Sequence, residues 1–219
     1  MKRQKNHSKI YKIDGVGVNL ERFYPAKSIE EKNVLREKIG FSPDDFILIY
    51  TAEFIPRKNH KLLFDILPTL KGKIPGLRVV LCGKGELLEH YKDFASQNKM
   101  DYVTFTGYTK DVADYCRLSD VLVMPSFQEG LPMAMIESIA TGLPVVASNI
   151  RGHCDVIEDC VNGFLFDVED RKGFEKAIVT LYKNPALRAE MGMRNIERAK
   201  AFSLENSLNE MQEIYCEVM

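Results

Sequence analysis

The stretch VLVMPSFQEGLPMAMIESIATGLPVVA, residues 121–147, decides the fold of this chain. It begins and ends with short apolar runs of strand length, at 121–124 and 144–147, and the residues between them have the pattern of a helix. Gly142 and Pro144 are residues that end a helix. A strand, a helix and a second strand in this order predict a crossover between two parallel strands.

The same alternation of apolar runs and helical patterns extends along most of the chain. Four more runs of strand length are rich in β-branched and aromatic residues and occur at 46–50, 78–82, 102–105 and 164–166. All are continuous rather than alternating, which is typical of strands covered on both faces. The pattern predicts an α/β fold with a doubly wound, Rossmann-like parallel sheet of about six strands.

Helices are predicted at both ends of this alternation. Ser28 and Glu31 form a capping-box pattern for a helix that precedes the first strand. After the last strand only helical patterns occur, and they predict a C-terminal helical segment over 171–183, 185–201 and 203–218. This segment is expected either to pack on the sheet or to reach a neighbouring domain.

The composition argues against several classes of protein. The 219 residues include 30 basic and 31 acidic side chains, so the net charge is −1 and no nucleic-acid partner is expected. No apolar run approaches the ~20 residues that span a bilayer, and no signal-peptide core follows the basic start, so we expect a cytoplasmic protein. The cysteines form no C-x-x-C pair and are expected to be reduced and mostly packed: Cys82, Cys116, Cys154, Cys160 and Cys216.

Two glutamates, Glu129 and Glu137, flank the start of the helix within this stretch. Pro132 fits the first turn, so Glu129 lies at the helix N-terminus and Glu137 about two turns inside. At 1.5 Å per residue their backbones are roughly 12 Å apart, comparable to the distance from a hexose across a diphosphate to a ribose. Backbone N–H groups at 130–133 suit the anionic centre of such a ligand. The alternative is that Glu129 caps the helix and Glu137 is a solvated helix residue.

With the turn before it, this stretch reads PSFQEGLPMAMIESIATGLPVVAS and resembles the E-x7-E motif of the retaining glycosyltransferases of the GT-B fold, family 4 (group 1). The likeness covers nearly the whole chain and includes the segments at 15–25, 81–91, 151–166 and 202–215. It implies one half of a GT-B fold, with residues 1–25 as an interdomain linker and 26–219 as a nucleotide-sugar-binding domain. The family's N-terminal, acceptor-binding domain is expected to be missing from these residues.

The resemblance also implies roles for individual residues. Lys58 matches the family's lysine at the donor diphosphate, and Lys58 and Glu129 are the expected catalytic residues. Glu53 stands where the family has an arginine, so its carboxylate is expected to pair with Arg57 or Lys58 or to reach a hydroxyl of donor or acceptor. The implied donor-binding residues are Glu53, Arg57, Gly83, Gly85, Gly107, Tyr108, Gly130, Leu131, Pro132, Met133 and Glu137.

Several of these residues also have a plainer interpretation. Arg57 and Lys58 fit a solvated start of the next helix, and the alternative for Gly107 and Tyr108 is an ordinary turn with an exposed ring. Gly83 and Gly85 permit close approach of the backbone to a phosphate, but as a fingerprint this pair is weak. A dinucleotide fingerprint needs a small residue where Leu88 stands, which argues against a nicotinamide dehydrogenase.

Neither a metal nor a cofactor is expected. His153, Cys154 and Cys160 have side chains that bind zinc, but three candidates without a second ligand pair do not predict a zinc site. The resemblance instead implies that the loop at 152–155 lies close to the donor. His60 and His90 are expected on the polar faces of helices.

The sequence therefore favours the donor-binding domain of a glycosyltransferase. The resemblance implies transfer of a sugar from a nucleoside-diphosphate sugar, with uridine as the favoured base, to an acceptor hydroxyl with retention, in bacterial surface polysaccharide synthesis. The isolated chain is expected to be inactive, and contact with the inner face of the membrane is expected only through the missing domain. Two alternatives stay open: a sugar-nucleotide epimerase of GT-B architecture and a non-catalytic nucleotide-binding module.

Overall fold

The computed structural model describes residues 11, 15 and 17–218, and this part of the chain contains a six-stranded sheet. The strands are β1 Phe46–Thr51, β2 Leu77–Cys82, β3 Val103–Gly107, β4 Val121–Met124, β5 Val145–Ser148 and β6 Gly163–Phe166. Their order across the sheet is β3-β2-β1-β4-β5-β6, and every neighbouring pair is parallel. The residues of β4 and β5 are all buried, as expected for strands covered on both faces. The predicted doubly wound α/β sheet is confirmed.

Helices precede the first strand, connect the strands and follow the last one. They are α1 Ile29–Lys38, α2 His60–Lys73, α3 Leu88–Gln97, α4 Val112–Leu118, α5 Met133–Ala140, α6 Arg151–Cys154, α7 Arg171–Lys183, α8 Pro185–Lys200 and α9 Leu204–Val218. The hydroxyl of Ser28 accepts a hydrogen bond from the N–H of Glu31 at 3.2 Å, which confirms the predicted cap of α1. The four-residue helix α6 and a 3₁₀ turn at Pro56–Lys58 were not expected from the sequence.

The order of the strands creates a crevice at the centre of the sheet. β1 pairs with β2 on one side and with β4 on the other, so the chain reverses its direction of winding between β1 and β4. The loops that leave the carboxyl ends of these two strands diverge to opposite sides. Ligands of open parallel sheets bind at such a switch point. The loops after β1 and β4 are therefore the first place to look for a site.

The predicted C-terminal segment packs mainly on the sheet. α7 lies against α2 and α8 against α5, and Phe174, Ile178 and Met191 join the core. Asn195 of α8 is fully buried and donates hydrogen bonds to the carbonyl oxygens of Leu143 at 2.6 Å and of Asn162 at 2.8 Å. Since these carbonyls precede β5 and β6, the helix is tied to both strands.

α9 differs from the two helices before it. Leu204, Leu208 and Tyr215 are large apolar side chains that it leaves exposed. It begins beside the residues that lead into the domain, because the N–H of Leu204 donates to the carbonyl oxygen of Val18 at 2.9 Å. α9 therefore presents an apolar face that the described residues do not cover.

Most of the predicted linker at 1–25, including its basic start, lies outside the described residues. Of the part that is described, Val18 and Phe23 are buried in the same core as the strands. The N–H of Val18 donates to the carbonyl oxygen of Phe202 at 2.8 Å. The boundary between linker and domain at residues 25 and 26 stays a prediction.

Two expectations about single side chains were wrong. Cys82 and Cys116 are buried free thiols, but three of the five cysteines are exposed: Cys154, Cys160 and Cys216. His60 is only 1% exposed, and its ring stacks on Phe54 with centroids 4.1 Å apart. Burial, together with the charge of Lys58, lowers the pKa of His60 to about 3. The first residue of α2 thus points into the core, whereas a polar face was expected.

Candidate functional site

The two expected catalytic residues contact each other at the switch point. Lys58 ends the 3₁₀ turn after β1, and its Nζ donates to Oε1 of Glu129 at 2.6 Å. The side chains of Lys58 and Glu129 are only 13% and 7% exposed. α5 is preceded by Pro132 and has no side-chain cap, so Glu129 is not the helix cap that was the alternative. The crevice between β1 and β4 therefore holds a nearly buried ion pair.

Hydrogen bonds between the two loops hold this ion pair in place. The N–H of Phe127 donates to the carbonyl oxygen of Arg57 at 2.9 Å, and the Arg57 guanidinium donates to the carbonyl oxygen of Gln128 at 3.3 Å. Below them, the phenol of Tyr50 donates to the carbonyl oxygen of Lys58 at 2.7 Å. Burial raises the pKa of Tyr50, which keeps the phenol neutral. Lys58 is thus positioned through its own backbone as well as through its ammonium group.

The start of α5 offers fewer free backbone donors than the sequence predicted. Pro132 has no N–H, and the N–H of Met133 donates to the carbonyl oxygen of Leu131 at 2.9 Å. The N–H groups of Gly130 and Leu131 donate to no acceptor among the described residues. Both residues are exposed. The anion-binding capacity of this turn therefore rests on Gly130 and Leu131, at the positive end of the helix.

At Gly83 and Gly85 the lack of a side chain allows backbone atoms of the loop after β1 to approach closely. Gly83 has φ +154°, and a Cβ there would lie 1.9 Å from the carbonyl oxygen of Ala52; at Gly85 a Cβ would lie 2.5 Å from the carbonyl oxygen of Phe54. The loop after β2 consequently lies directly on the loop after β1. The close approach predicted for these glycines exists, and backbone atoms of residues 52–54 make it.

A cavity of about 350 Å³ opens at the carboxyl ends of the first three strands. Gly107, Tyr108 and Glu53 border it, and the ammonium of Lys84 lies 5.1 Å from the centre of the Tyr108 ring. The other residues around it are Thr51, Ala52, Cys82, Gly83, Thr109 and Val112. A larger cavity of about 600 Å³, between residues 154–162 and α8, contains none of the predicted site residues.

Of the alternatives expected for Glu53, pairing with Arg57 or Lys58 does not occur in the described part of the chain, and contact with a hydroxyl of donor or acceptor stays a prediction. Lys58 is engaged by Glu129, and Arg57 donates to a backbone carbonyl. Glu53 is exposed at the rim of the 350 Å³ cavity and forms no ion pair within the described part of the chain. Its carboxylate is free to meet a ligand there.

Glu137 is the fifth residue of α5, about one turn from its start, and is half-buried. Burial raises the pKa of its carboxyl group, and the positive charge of Arg22 acts in the opposite direction. No hydrogen bond satisfies this carboxyl group within the described residues. A half-buried acid without a donor is a group that a ligand hydroxyl can satisfy.

The raised pKa of Glu137 leads to a prediction about stability. As the pH rises through this raised value, the folded chain must ionise a half-buried group, and stability falls relative to the unfolded chain. We expect Glu137→Gln to raise the melting temperature by about 2 °C at pH 8. At pH 4 the two proteins should melt together, because the acid is protonated in both states. Thermal unfolding at both pH values, with exposed Glu213→Gln as control, checks this; an equal gain at pH 4 would contradict it.

Three residues of the candidate site were not singled out from the sequence. Tyr50 is inside β1, Ser126 contacts its phenol at 3.0 Å, and Arg22 comes from the segment that leads into the domain. Ser126 is part of the quoted Pro-Ser turn, which was a signal that could have found it. Tyr50 and Arg22 are brought to the site only by tertiary structure. Among residues 17–218, no group of three His, Cys, Asp or Glu side chains could hold a metal ion.

No helix in the described part of the chain has the length and apolar character needed to cross a bilayer.

Comparison with known proteins places this geometry in a family. EpsD of Bacillus subtilis (strain 168), provisionally named a glycosyltransferase, is 39% identical over 217 residues, which are 99% of this chain and 57% of EpsD. An Escherichia coli α-1,3-galactosyltransferase that uses UDP-Gal and GlcNAc-diphosphoundecaprenol is 27% identical, over 93% of this chain and 53% of its own. The chain thus spans about half the length of the curated relatives it matches.

Solved structures have the same fold. HepE from Anabaena, crystallised with UDP and glucose, superposes with a TM-score of 0.81 at 20% identity, over 91% of this chain and 55% of its own. Sucrose-phosphate synthase from Thermosynechococcus elongatus gives a TM-score of 0.80 at 26% identity, over 92% of this chain and 51% of its own. Residues 31–198 match the family described as Glycosyl transferases group 1. The chain is a member of that family, with the Rossmann-like α/β domain of a GT-B glycosyltransferase.

Proposed function

We propose that this chain binds the nucleoside-diphosphate sugar of a retaining glycosyltransferase of family 4. The observation that carries the proposal is the Lys58–Glu129 pair, because it places a cation and a carboxylate together at the switch point, in front of the open turn of α5. A sugar diphosphate needs both kinds of group: donors for its charge and acceptors for its hydroxyls. The likeness to HepE, whose structure contains UDP, supports uridine as the base.

The ligand would lie along the carboxyl edge of the sheet. The cavity bordered by Gly107 and Tyr108 takes the base, and Glu137 accepts hydrogen bonds from the ribose hydroxyls. The diphosphate lies between the ribose and the sugar, at the N–H groups of Gly130 and Leu131 and within reach of Lys58 and Arg57. Glu129 and the turn at 130–133 orient the sugar, and Gly83 and Gly85 support the loop beside the base.

The chemistry needs no nucleophile from the protein. The bond between the anomeric carbon and the diphosphate oxygen breaks, the acceptor oxygen takes its place on the same face, and the acceptor proton goes to the departing phosphate. Lys58 and the free amides stabilise the charge that grows on the diphosphate, so positioning and electrostatics provide the catalysis. No metal or other cofactor is required by this scheme.

The ion pair has a consequence for binding. In the free chain the Lys58 ammonium is neutralised by Glu129, so it meets a diphosphate at full strength only when Glu129 turns to another partner. The sugar of the donor offers that partner in its hydroxyls. A complete donor therefore satisfies both members of the pair, whereas a bare nucleoside diphosphate satisfies only Lys58.

Acceptor binding is proposed to belong to a further domain of the whole protein. The coverage of only 57% of EpsD supports this, as does the apolar face of α9 with Leu204, Leu208 and Tyr215. On this view the 219-residue chain binds donor but transfers no sugar by itself, and membrane contact at the cytoplasmic face is made through the other domain. A role in surface polysaccharide synthesis is supported by the polyprenyl-linked acceptor in the name of the E. coli relative.

Calorimetric titration of the chain with UDP and with UDP-glucose tests the proposal. Glu137→Ala is expected to weaken both ligands by about 1 to 3 kcal/mol, the range for removing a charged hydrogen-bond partner. Glu129→Ala is expected to weaken the binding of UDP-glucose by a similar amount. Binding of UDP should be unchanged or slightly tighter, because the substitution frees Lys58. Equal losses of affinity for UDP in both variants would show that the two ends of the ligand are wrongly assigned. If the parent chain binds neither ligand, the proposed function is refuted.

A further inference from the structure

His153 is a buried histidine beside the proposed donor site, and nothing in the proposed chemistry uses it. It lies on α6 and is fully buried, with 0% of its surface exposed. Its Nε2 atom is buried and has no hydrogen-bond partner among the described residues. A buried polar atom without a partner costs free energy, so it calls for an explanation.

The hydrogen bonds of the other ring nitrogen fix the tautomer of His153. Nδ1 lies 2.8 Å from the carbonyl oxygen of Ser148, which can only accept. It also lies 3.2 Å from the Ser148 hydroxyl, whose own hydrogen is donated to the carbonyl oxygen of Ser126. Nδ1 therefore carries the hydrogen. Burial lowers the pKa of His153, so the ring is neutral and Nε2 presents a bare lone pair.

The helix that carries His153 rests on the loop that carries Glu129. A Cβ at Gly152 would lie 2.3 Å from the carbonyl oxygen of Gly130 and 2.9 Å from that of Glu129, so α6 touches this loop backbone to backbone. The negative charge of Glu129 raises the pKa of the imidazole, and the positive charge of Lys58 lowers it. Lys58 uses one of its three N–H donors, on Glu129, and has two to spare.

An acceptor without a donor thus lies on the short helix that contacts the Glu129 loop, and the cation bound to Glu129 has donors to spare. We propose that His153 is a positioning residue whose Nε2 is the second partner of the Lys58 ammonium, taken up when Glu129 turns to a ligand hydroxyl. The lysine then stays at the mouth of the site while the carboxylate is released. This inference rests on the proposed function for the release step, whereas the pairing itself is a property of the chain without ligand.

The pairing is tested without any ligand by ¹⁵N NMR of the histidine rings. Glu129→Ala removes the present partner of Lys58, so the ammonium should donate to His153 Nε2 and shift its ¹⁵N resonance upfield, as acceptance of a hydrogen bond does. The double variant Glu129→Ala with Lys58→Met should lose this shift, which separates Lys58 from an entering water molecule. Glu89→Ala, which breaks the exposed Glu89–Lys92 pair, is the matched control and should change nothing. An unchanged Nε2 resonance in Glu129→Ala would overturn the proposal.

Two substitutions separate this role from a structural one. His153→Asn keeps a donor near the position of Nδ1 and lacks an atom at Nε2, whereas His153→Gln places a polar atom at Nε2 and loses the Ser148 contact. We expect His153→Asn to weaken the affinity for UDP-glucose about tenfold relative to that for UDP. His153→Gln should keep the ratio of the two affinities within about threefold of the parent value. The opposite order would mean that His153 only holds Ser148, and the pairing would be rejected. If the parent chain binds neither ligand, the function fails while the NMR result still decides the pairing.

Discussion

Lys58→Ala is expected to lower the affinity of this chain for UDP by about 10- to 100-fold, since it removes a charged hydrogen bond of roughly 1.5 to 3 kcal/mol and leaves the nearly buried Glu129 carboxylate without its cation beside the phosphates. Affinity for uridine should change by less than about threefold, because the lost contact is to phosphate and not to the base or ribose. Calorimetry with both ligands at two salt concentrations measures the difference. The loss should be smaller at high salt, where the partly exposed phosphate contact is screened.

Two further variants make this result specific. Lys61→Ala removes an exposed lysine three residues along the chain and should leave UDP binding unchanged. Glu53→Arg introduces the cation that the resemblance implies at this position, and we expect it not to weaken UDP binding, because it removes a carboxylate at the cavity rim that would repel a diphosphate. If Lys58→Ala loses affinity equally for UDP and uridine, or if a folded Glu53→Arg protein no longer binds UDP, the phosphates do not bind at Lys58.

Gly83→Ala is expected to destabilise the folded chain by about 3 to 5 kcal/mol, the upper range for single substitutions. The new Cβ would lie 1.9 Å from the carbonyl oxygen of Ala52, and φ at this residue is +154°, where a side chain is strained even in open space. The loops after β1 and β2 must then separate, which also opens the cavity around Tyr108. Urea unfolding gives the change in stability.

Gly72→Ala is the matched control for this substitution. Gly72 is inside α2, and a Cβ there meets nothing within 4 Å. Replacing a helical glycine by alanine in open space should stabilise the chain by about 0.5 to 1 kcal/mol. If Gly83→Ala and Gly72→Ala unfold at the same urea concentration, the contact between the two loops is not the reason for a glycine at residue 83.

The fold could be predicted from the sequence because its signals are local. Each strand is a continuous apolar run, and Ser28, Gly142 and Pro144 mark helix ends through their own hydrogen bonds and dihedral angles. The 3₁₀ turn at Pro56–Lys58 and the short helix α6 were not predicted because each spans only about one turn, too short for a helical repeat of apolar residues to show. His60 was misplaced because the adjacent 3₁₀ turn and the left-handed Asn59 decide which way the first side chain of α2 points.

The candidate site was predictable as a set of residues and not as a set of contacts. The E-x7-E pattern identified Glu129 and Glu137, and the resemblance identified Lys58, but their spacing says nothing about an ion pair across 71 residues. The same holds for Gly83, whose need for glycine comes from Ala52 on another loop. Whether a glycine faces a ligand or its own chain depends on tertiary contacts that no local pattern records.

The central position of β1 also sets the order in which the chain can assemble. Its pairing with β2 closes a loop of roughly thirty residues, whereas its pairing with β4 joins Leu48 to Val121, roughly seventy residues apart. Because longer loops close more slowly, we expect β1, β2 and β3 to form first and to leave one edge of β1 unpaired until β4 arrives. Lys58 belongs to the early half and Glu129 to the late half. Their ion pair therefore forms only when the two halves have joined, so the functional crevice is among the last parts of the molecule to fold.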